Sequence, residues 1–238
     1  MSTQLEGKIN SIQSLGTLDG PGIRFVVFMQ GCNLRCGYCH NPDTWDMSKG
    51  TVTTVLELLD KAMRCKSYFG TDGGITVSGG EPLLQSNFVT ELFKACHDNS
   101  INTCLDTSGS ILNDNIKELL SHTDRVLLDI KFTNDEYYDK HIGCSYASPL
   151  AFLDYLESKS IPVTIRQVIV PTLNDNVDNI LKLKELVATH KCIDKVELLP
   201  FKKICKVKYD NLKIDFPFDI YETPSKEDID KLYNILNT

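Results

Sequence analysis

Ile23-Arg24-Phe25-Val26-Val27-Phe28-Met29-Gln30-Gly31-Cys32-Asn33-Leu34-Arg35-Cys36-Gly37-Tyr38-Cys39-His40 is an apolar run that stops at a glycine and is followed by three cysteines. Branched and aromatic side chains in such a run suit a covered, pleated surface, so Ile23 to Met29 reads as a buried strand. Gly31 breaks it and leaves the cysteines on a loop at its C-terminal end. Their C-x3-C-x2-C spacing lets three thiolates converge on one soft metal centre. An iron–sulfur cube has four irons, and three local ligands leave one iron open to bind something else. Two blander readings stand beside it: a zinc site completed by His40 or a distant cysteine, and three unliganded core cysteines.

Working outward, the rest of the chain repeats a strand-and-helix rhythm. A short strand at Lys8–Ile12 precedes the turn signal Asp19-Gly20-Pro21-Gly22. Helical spacing follows over 51–69, with Thr53 or Thr54 as N-cap, and again over 86–97, 113–121, 147–159 and 177–190. Strands are expected at 73–78, 101–106, 125–131, 163–170 and 195–199. Counting Ile23–Met29, six strands alternate with helices, which points to an α/β parallel sheet in one domain spanning 1–238. Its core covers about 20–200; residues 201–224 read as irregular, and Ser225 caps a last helix over 225–236.

In wound or barrel sheets, ligands bind at the C-terminal strand ends. Those ends carry Cys32/Cys36/Cys39, Ser78-Gly79-Gly80-Glu81, Asp106-Thr107, Asp129-Ile130-Lys131, Arg166 and Pro200-Phe201-Lys202. Glycines let a backbone approach a ligand closely. Glu81, Asp106 and Asp129 suit an ammonium, hydroxyls or a cation, and Lys131 and Arg166 suit a carboxylate. Together they fit a small zwitterion beside a metal. Taken singly, each has an ordinary reading as turn, loop cap or ion pair.

Length, charge and cysteine usage narrow the class. The 238 residues suffice for a sizeable core, and the formal net charge of −7 argues against a non-specific nucleic-acid binder. The polar start Met1–Lys8 is no secretory signal, and no run of about 18 apolar residues would span a membrane. Nine cysteines without an export signal imply a reducing, cytoplasmic setting. Cys65, Cys96, Cys104, Cys144, Cys192 and Cys205 are scattered singly and read as small buried hydrophobes.

The motifs resemble those of the radical S-adenosylmethionine (SAM) enzymes: Cys32-x3-Cys36-x-Tyr38-Cys39, with an aromatic before the last cysteine, and Gly79-Gly80-Glu81. A closer likeness over nearly the whole chain is to the pyruvate formate-lyase activating enzymes. It is carried by Asp19-Gly20-Pro21-Gly22-Ile23-Arg24, Gln30-Gly31-Cys32, Tyr38-Cys39-His40-Asn41, Cys104 to Gly109, Leu128 to Lys131, and Glu197 to Pro200. The resemblance implies a partial (βα)6 TIM-like barrel. It also implies a [4Fe–4S] cluster on Cys32, Cys36 and Cys39, with SAM chelating the fourth iron. Electron transfer then cleaves SAM to methionine and a 5′-deoxyadenosyl radical, which takes hydrogen from a glycine of a partner enzyme.

By the same resemblance, Tyr38, His40, Ser78 to Glu81, Asp129, Ile130, Lys131 and Arg166 surround SAM. Asp106, Thr107, Leu127 and Asp129 hold a monovalent cation (Na+ or K+). The Asp19–Gly22 loop faces the partner. The implied partners are a glycyl radical enzyme, above all pyruvate formate-lyase, and flavodoxin or ferredoxin as electron donor, with the chain itself monomeric. Other activases carry a cysteine-rich insert between the two motifs. Here 39 residues separate Cys39 from Gly79 and hold one cysteine. Lys202 stands where the family has a SAM-contacting histidine, and Cys205 where it has a glycine. Remaining alternatives are a radical SAM enzyme acting on a small molecule or peptide, and a non-catalytic zinc protein.

Overall fold

The computed structural model describes residues 4–238. In chain order the elements are β1 (Glu6–Gly16), β2 (Arg24–Met29), β3 (Thr51–Thr54), α1 (Val55–Cys65), β4 (Gly74–Gly79), α2 (Ser86–Asp98), β5 (Asn102–Thr107) and α3 (Asp114–Leu120). They continue as β6 (Arg125–Asp129), α4 (Asp135–His141), α5 (Ala147–Ser158), β7 (Val163–Ile169), α6 (Val177–Thr189), β8 (Ile193–Pro200), α7 (Lys206–Leu212) and α8 (Lys226–Asn237). The strands form one sheet in the order β3-β1-β2-β4-β5-β6-β7-β8. Pairing is parallel for β2–β4, β4–β5 and β7–β8, and antiparallel for β1 with both β2 and β3. The expected α/β class therefore holds, and all six strands read from the sequence are present.

Two compact units divide the chain: residues 1–33 with 43–127, and 34–42 with 128–238. In the first, α1 packs on α2 and α2 on α3. α2 buries Phe88, Val89, Leu92, Phe93 and Cys96, four of them large apolar side chains worth roughly 1.5–3 kcal/mol each. Thr54 caps α1 through a reciprocal pair with Glu57, as the capping pattern predicts. In the second unit α6 packs on α8, which starts at the Ser225–Asp228 capping box and buries Ile229 and Leu232.

Two sequence expectations need correction, and one helix was not anticipated. The helix read over 51–69 begins only at Val55, because Thr51–Thr54 pairs with β1 as an edge strand, Glu6 facing Thr54 and Ile9 facing Thr51. Helix α4 arises where periodicity shows nothing: Asn134 caps it, and Tyr138 alone is buried. The segment read as irregular, 201–224, contains α7 and a 3-10 turn at Pro217–Ile220. Its order comes from Phe201, Cys205 and Tyr209, buried at spacings of four.

A buried arginine fixes the register of the first unit. Arg24 is fully inaccessible at the N-terminal end of β2, opposite Gly74 of β4, which in turn faces Asn102 of β5. Its Nε donates to Thr76 Oγ1 (3.0 Å), and its terminal nitrogens donate to Asp72 O, Asn102 Oδ1 and Ile75 O (3.1, 2.9 and 2.6 Å). Burial lowers its pKa, and the neutral acceptors compensate for lost hydration. No sequence argument gave Arg24 this role; a lone charge inside an apolar run was the available signal.

Candidate active site

In the first unit, the loop after β2 and the loop after β4 are knitted backbone to backbone. Gly31, at φ +99°, donates to Thr44 O (2.6 Å) and accepts from Glu81 N–H (2.8 Å). A Cβ on Gly80 would lie 2.1 Å from Gly31 O, so this contact demands glycine. Gln30, fully buried one residue earlier, donates to Asp43 O and Asp46 O and ties down the chain that follows the cysteine loop. Cys32 lies half-buried just beyond.

Glu81 is buried and its carboxylate is fully engaged. It accepts from Thr107 Oγ1 (2.6 Å), Ser108 N–H (3.0 Å), Ser108 Oγ (2.5 Å) and Leu83 N–H (3.1 Å). The carboxylate thus welds the end of β4 to the end of β5. Ser108, quoted within a motif but given no role from sequence, supplies half of that network. Beside it Ser78 Oγ donates to Asp106 Oδ2 at 2.8 Å.

The Asp19–Gly22 loop belongs to the same unit but joins β1 to β2 at the end where Gly16 faces Arg24, six strand residues from Cys32. Gly20 and Gly22 have φ of +122° and +67°. Thr76 Oγ1 donates to Asp19 O (2.7 Å) while accepting from Arg24, so the buried arginine also anchors this loop.

In the second unit, Cys36 to Cys39 forms a tight turn, Cys39 N–H donating to Cys36 O at 3.0 Å. Asn41 N–H points at Cys39 Sγ (3.4 Å). Cys36 is buried, which pushes its thiol up to about 12 against the pull of Lys131. The Tyr38 hydroxyl is buried without a partner, and its ring meets Phe132 and Phe218 edge-on at 6.2 and 5.6 Å. Lys131 Nζ lies 5.9 Å from that ring's centre and 2.8 Å from Asp129 Oδ2. Burial is the largest single influence and opposes the charge on Lys131, but Asp129, Cys36 and Tyr38 together outweigh it and hold the pKa well above the ordinary lysine range. Lys131 N–H donates to Tyr138 Oη, and Ile130 N–H to Arg166 O (both 3.0 Å). Arg166 Nε stands 3.8 Å from Glu197 Oε2.

His40 and Lys202 are brought together through the main chain: His40 Nε2 lies 3.0 Å from Lys202 O, while the Lys202 side chain is exposed. Burial lowers the His40 pKa, and a carbonyl partner requires the proton on Nε2, leaving Nδ1 as an acceptor. Tyr209 Oη donates to Cys39 O (3.0 Å), and Lys208 Nζ to Asn41 Oδ1 (2.8 Å). Sequence reasoning missed both residues; the spacing of Phe201, Cys205 and Tyr209 could have found one.

Among the described residues no three His, Cys, Asp or Glu side chains gather to hold a single metal ion. The donor set has a different chemistry. All nine cysteines are free of disulfides, and three lie in one short loop with a backbone N–H aimed at a sulfur. Thiolates of this kind hold iron–sulfur clusters and are tuned by hydrogen bonds to sulfur, so these residues fit a [4Fe–4S] group.

The Radical SAM superfamily profile matches residues 26–183. The chain belongs to that superfamily, whose members use a [4Fe–4S] cluster and SAM. Within it, the chain falls among the pyruvate formate-lyase-activating enzymes. It is 46% identical over 231 residues to the pyruvate formate-lyase-activating enzyme of Clostridium pasteurianum, covering 97% of each chain. It is 41% identical over 233 residues to the pyruvate formate-lyase 1-activating enzyme of Escherichia coli (strain K12), covering 97% of this chain and 95% of that one. Streptococcus suis SuiB bound to S-adenosylmethionine shares the fold, with a TM-score of 0.68 at 16% identity over 87% of this chain and 44% of that one.

Proposed function

We propose that this chain activates pyruvate formate-lyase by installing a radical on one of its glycines. The supporting observation is the likeness to activating enzymes over 97% of the chain, cysteine loop included. A second point favours this partner over other glycyl radical enzymes. The interval between the two motifs is occupied by two 3-10 turns, β3, α1 and most of β4, with one cysteine, and holds no cysteine-rich insert.

When bound, the cluster supplies the electron that splits SAM into methionine and the radical that takes the glycine hydrogen. Cys32, Cys36 and Cys39 would hold three irons. The chain's other groups position and shield. Tyr38 offers a buried hydroxyl with no other partner. His40, fixed by Lys202 O, presents Nδ1, and the Asp129–Lys131 pair presents one charge of each sign. Glu81 acts on the ligand by shaping the glycine backbone, since its own oxygens are occupied. We assign a flavodoxin or ferredoxin as electron donor, a monomeric state and a cytoplasmic location. No helix among the described residues is long and apolar enough to cross a membrane.

Anaerobic incubation with SAM, dithionite and pyruvate formate-lyase tests the reading by electron paramagnetic resonance. A glycyl radical doublet is expected. Cleavage of SAM with no radical on the lyase would shift the assignment to a small-molecule or peptide substrate.

A further inference from the structure

In the second unit, three consecutive residues at the end of the cysteine loop are each held by the segment that follows β8. Tyr209 Oη donates to Cys39 O (3.0 Å), His40 Nε2 to Lys202 O (3.0 Å), and Lys208 Nζ to Asn41 Oδ1 (2.8 Å). The gripping helix, α7, is fixed from its other side. Tyr209 is fully buried and its ring packs on Phe216 with centroids 4.7 Å apart. Lys206 pairs with Asp219 Oδ2 at 2.5 Å, tying the start of α7 to the turn at Pro217–Ile220. Lys208 and Tyr209 therefore reach the loop from a rigid support.

What they fix is a hydrogen bond to sulfur. Asn41 N–H donates to Cys39 Sγ across 3.4 Å, and it does so only while the peptide between His40 and Asn41 faces that sulfur. Tyr209 holds the carbonyl of Cys39 and Lys208 the side chain of Asn41, so both ends of this short segment are set. A donor aimed at a cluster ligand favours the electron-rich reduced state, and hydrogen bonds to sulfur are among the levers a protein has on cluster potential. We propose that Lys208 and Tyr209 are positioning residues that clamp Cys39 and Asn41, so that the Asn41 N–H···Sγ bond raises the reduction potential of the cluster. The proposal rests on the reading of Cys39 as an iron ligand. The Lys208 ammonium also acts directly, as a positive charge near the site, and in the same direction. The two contributions separate by experiment, because only the clamp works through Asn41.

The test is a redox titration of the cluster-loaded full chain without SAM, followed by electron paramagnetic resonance. Lys208→Met and Asn41→Ala should each make reduction about tenfold less favourable, a fall of about 59 mV for one electron. Tyr209→Phe, which deletes one hydroxyl and keeps the ring packing, should shift the equilibrium the same way by about threefold. Lys208→Arg keeps both donor and charge and should titrate like wild type. The double variant Lys208→Met/Asn41→Ala should fall no further than either single change, since the lysine acts through the asparagine. Falls that add in the double variant would show that Lys208 acts only as a charge, and would overturn the proposal. So would wild-type potentials in Asn41→Ala and Tyr209→Phe, a pair that decides the matter even if Lys208→Met does not fold. Failure of the ligand reading looks different: Cys39→Ala would keep its full iron and sulfide content.

Discussion

Glu81 in the first unit and Tyr38 in the second are both buried polar side chains in family motifs, yet their surroundings are opposite. Around Glu81 every oxygen is used, by Thr107, Ser108 and Leu83. Around Tyr38 the hydroxyl has no partner, and nearby His141 Nε2 has none either, although it is buried among Phe132, Tyr137 and Phe218. A buried polar group normally finds a hydrogen bond, and leaving one out costs about 1–3 kcal/mol. The first region is finished by folding alone; the second keeps unsatisfied groups that a ligand can complete. Motif membership does not tell the two apart. Hydrogen-bond accounting does.

The largest effect should come from the ligands themselves. Cys36→Ala is expected to abolish cluster binding and SAM cleavage, whereas Cys65→Ala, outside the motif, leaves both nearly intact. Iron and sulfide analysis with 5′-deoxyadenosine measurement decides this. Next, Glu81→Ala strands two hydroxyls and two backbone N–H groups, so it should cost about 3–5 kcal/mol of stability in chemical denaturation. Wild-type stability in that variant would remove the contrast.

The pH dependence is smaller. Burial, then Lys140, lowers the His141 pKa below the unfolded value of about 6.5. Below that value the unfolded chain binds the proton more readily, so His141 makes stability fall as pH drops beneath about 6.5 and contributes no slope above it. His141→Gln should flatten that part of the profile. Smallest is Tyr38→Phe, which deletes an unpartnered hydroxyl. Stability should stay within about 1 kcal/mol of wild type, or rise, while SAM binds some five- to tenfold more weakly by calorimetry. A large stability loss would show that the hydroxyl is structural after all.

Much of this was legible in the sequence. The run Ile23–Met29, the stop at Gly31 and the caps Thr54 and Ser225 depend on local chemistry and fall where expected. Of the residues named at strand ends, most do lie at or just beyond them, but Arg166 sits in the middle of β7, paired with Glu197 in the ladder, because the apolar run continues to Ile169. What escaped depends on distant partners. Thr51–Thr54 is a strand only because β1 lies beside it, and its threonines read locally as a helix start. Glu81 looks like a ligand group until Ser108, 27 positions away, is seen to occupy it. In 201–224, lysines masked a spacing of four carried by buried Phe201, Cys205 and Tyr209, of which only Tyr209 lies within the short helix α7.

Arg24 has one further consequence. Its acceptors lie 48 to 78 positions further along the chain, on Asp72, Ile75, Thr76 and Asn102. A guanidinium cannot be taken out of water before those acceptors exist. Arg24 therefore gains its full set of acceptors only when β2, β4 and the start of β5 are together, and the cysteine loop follows the strand so fixed.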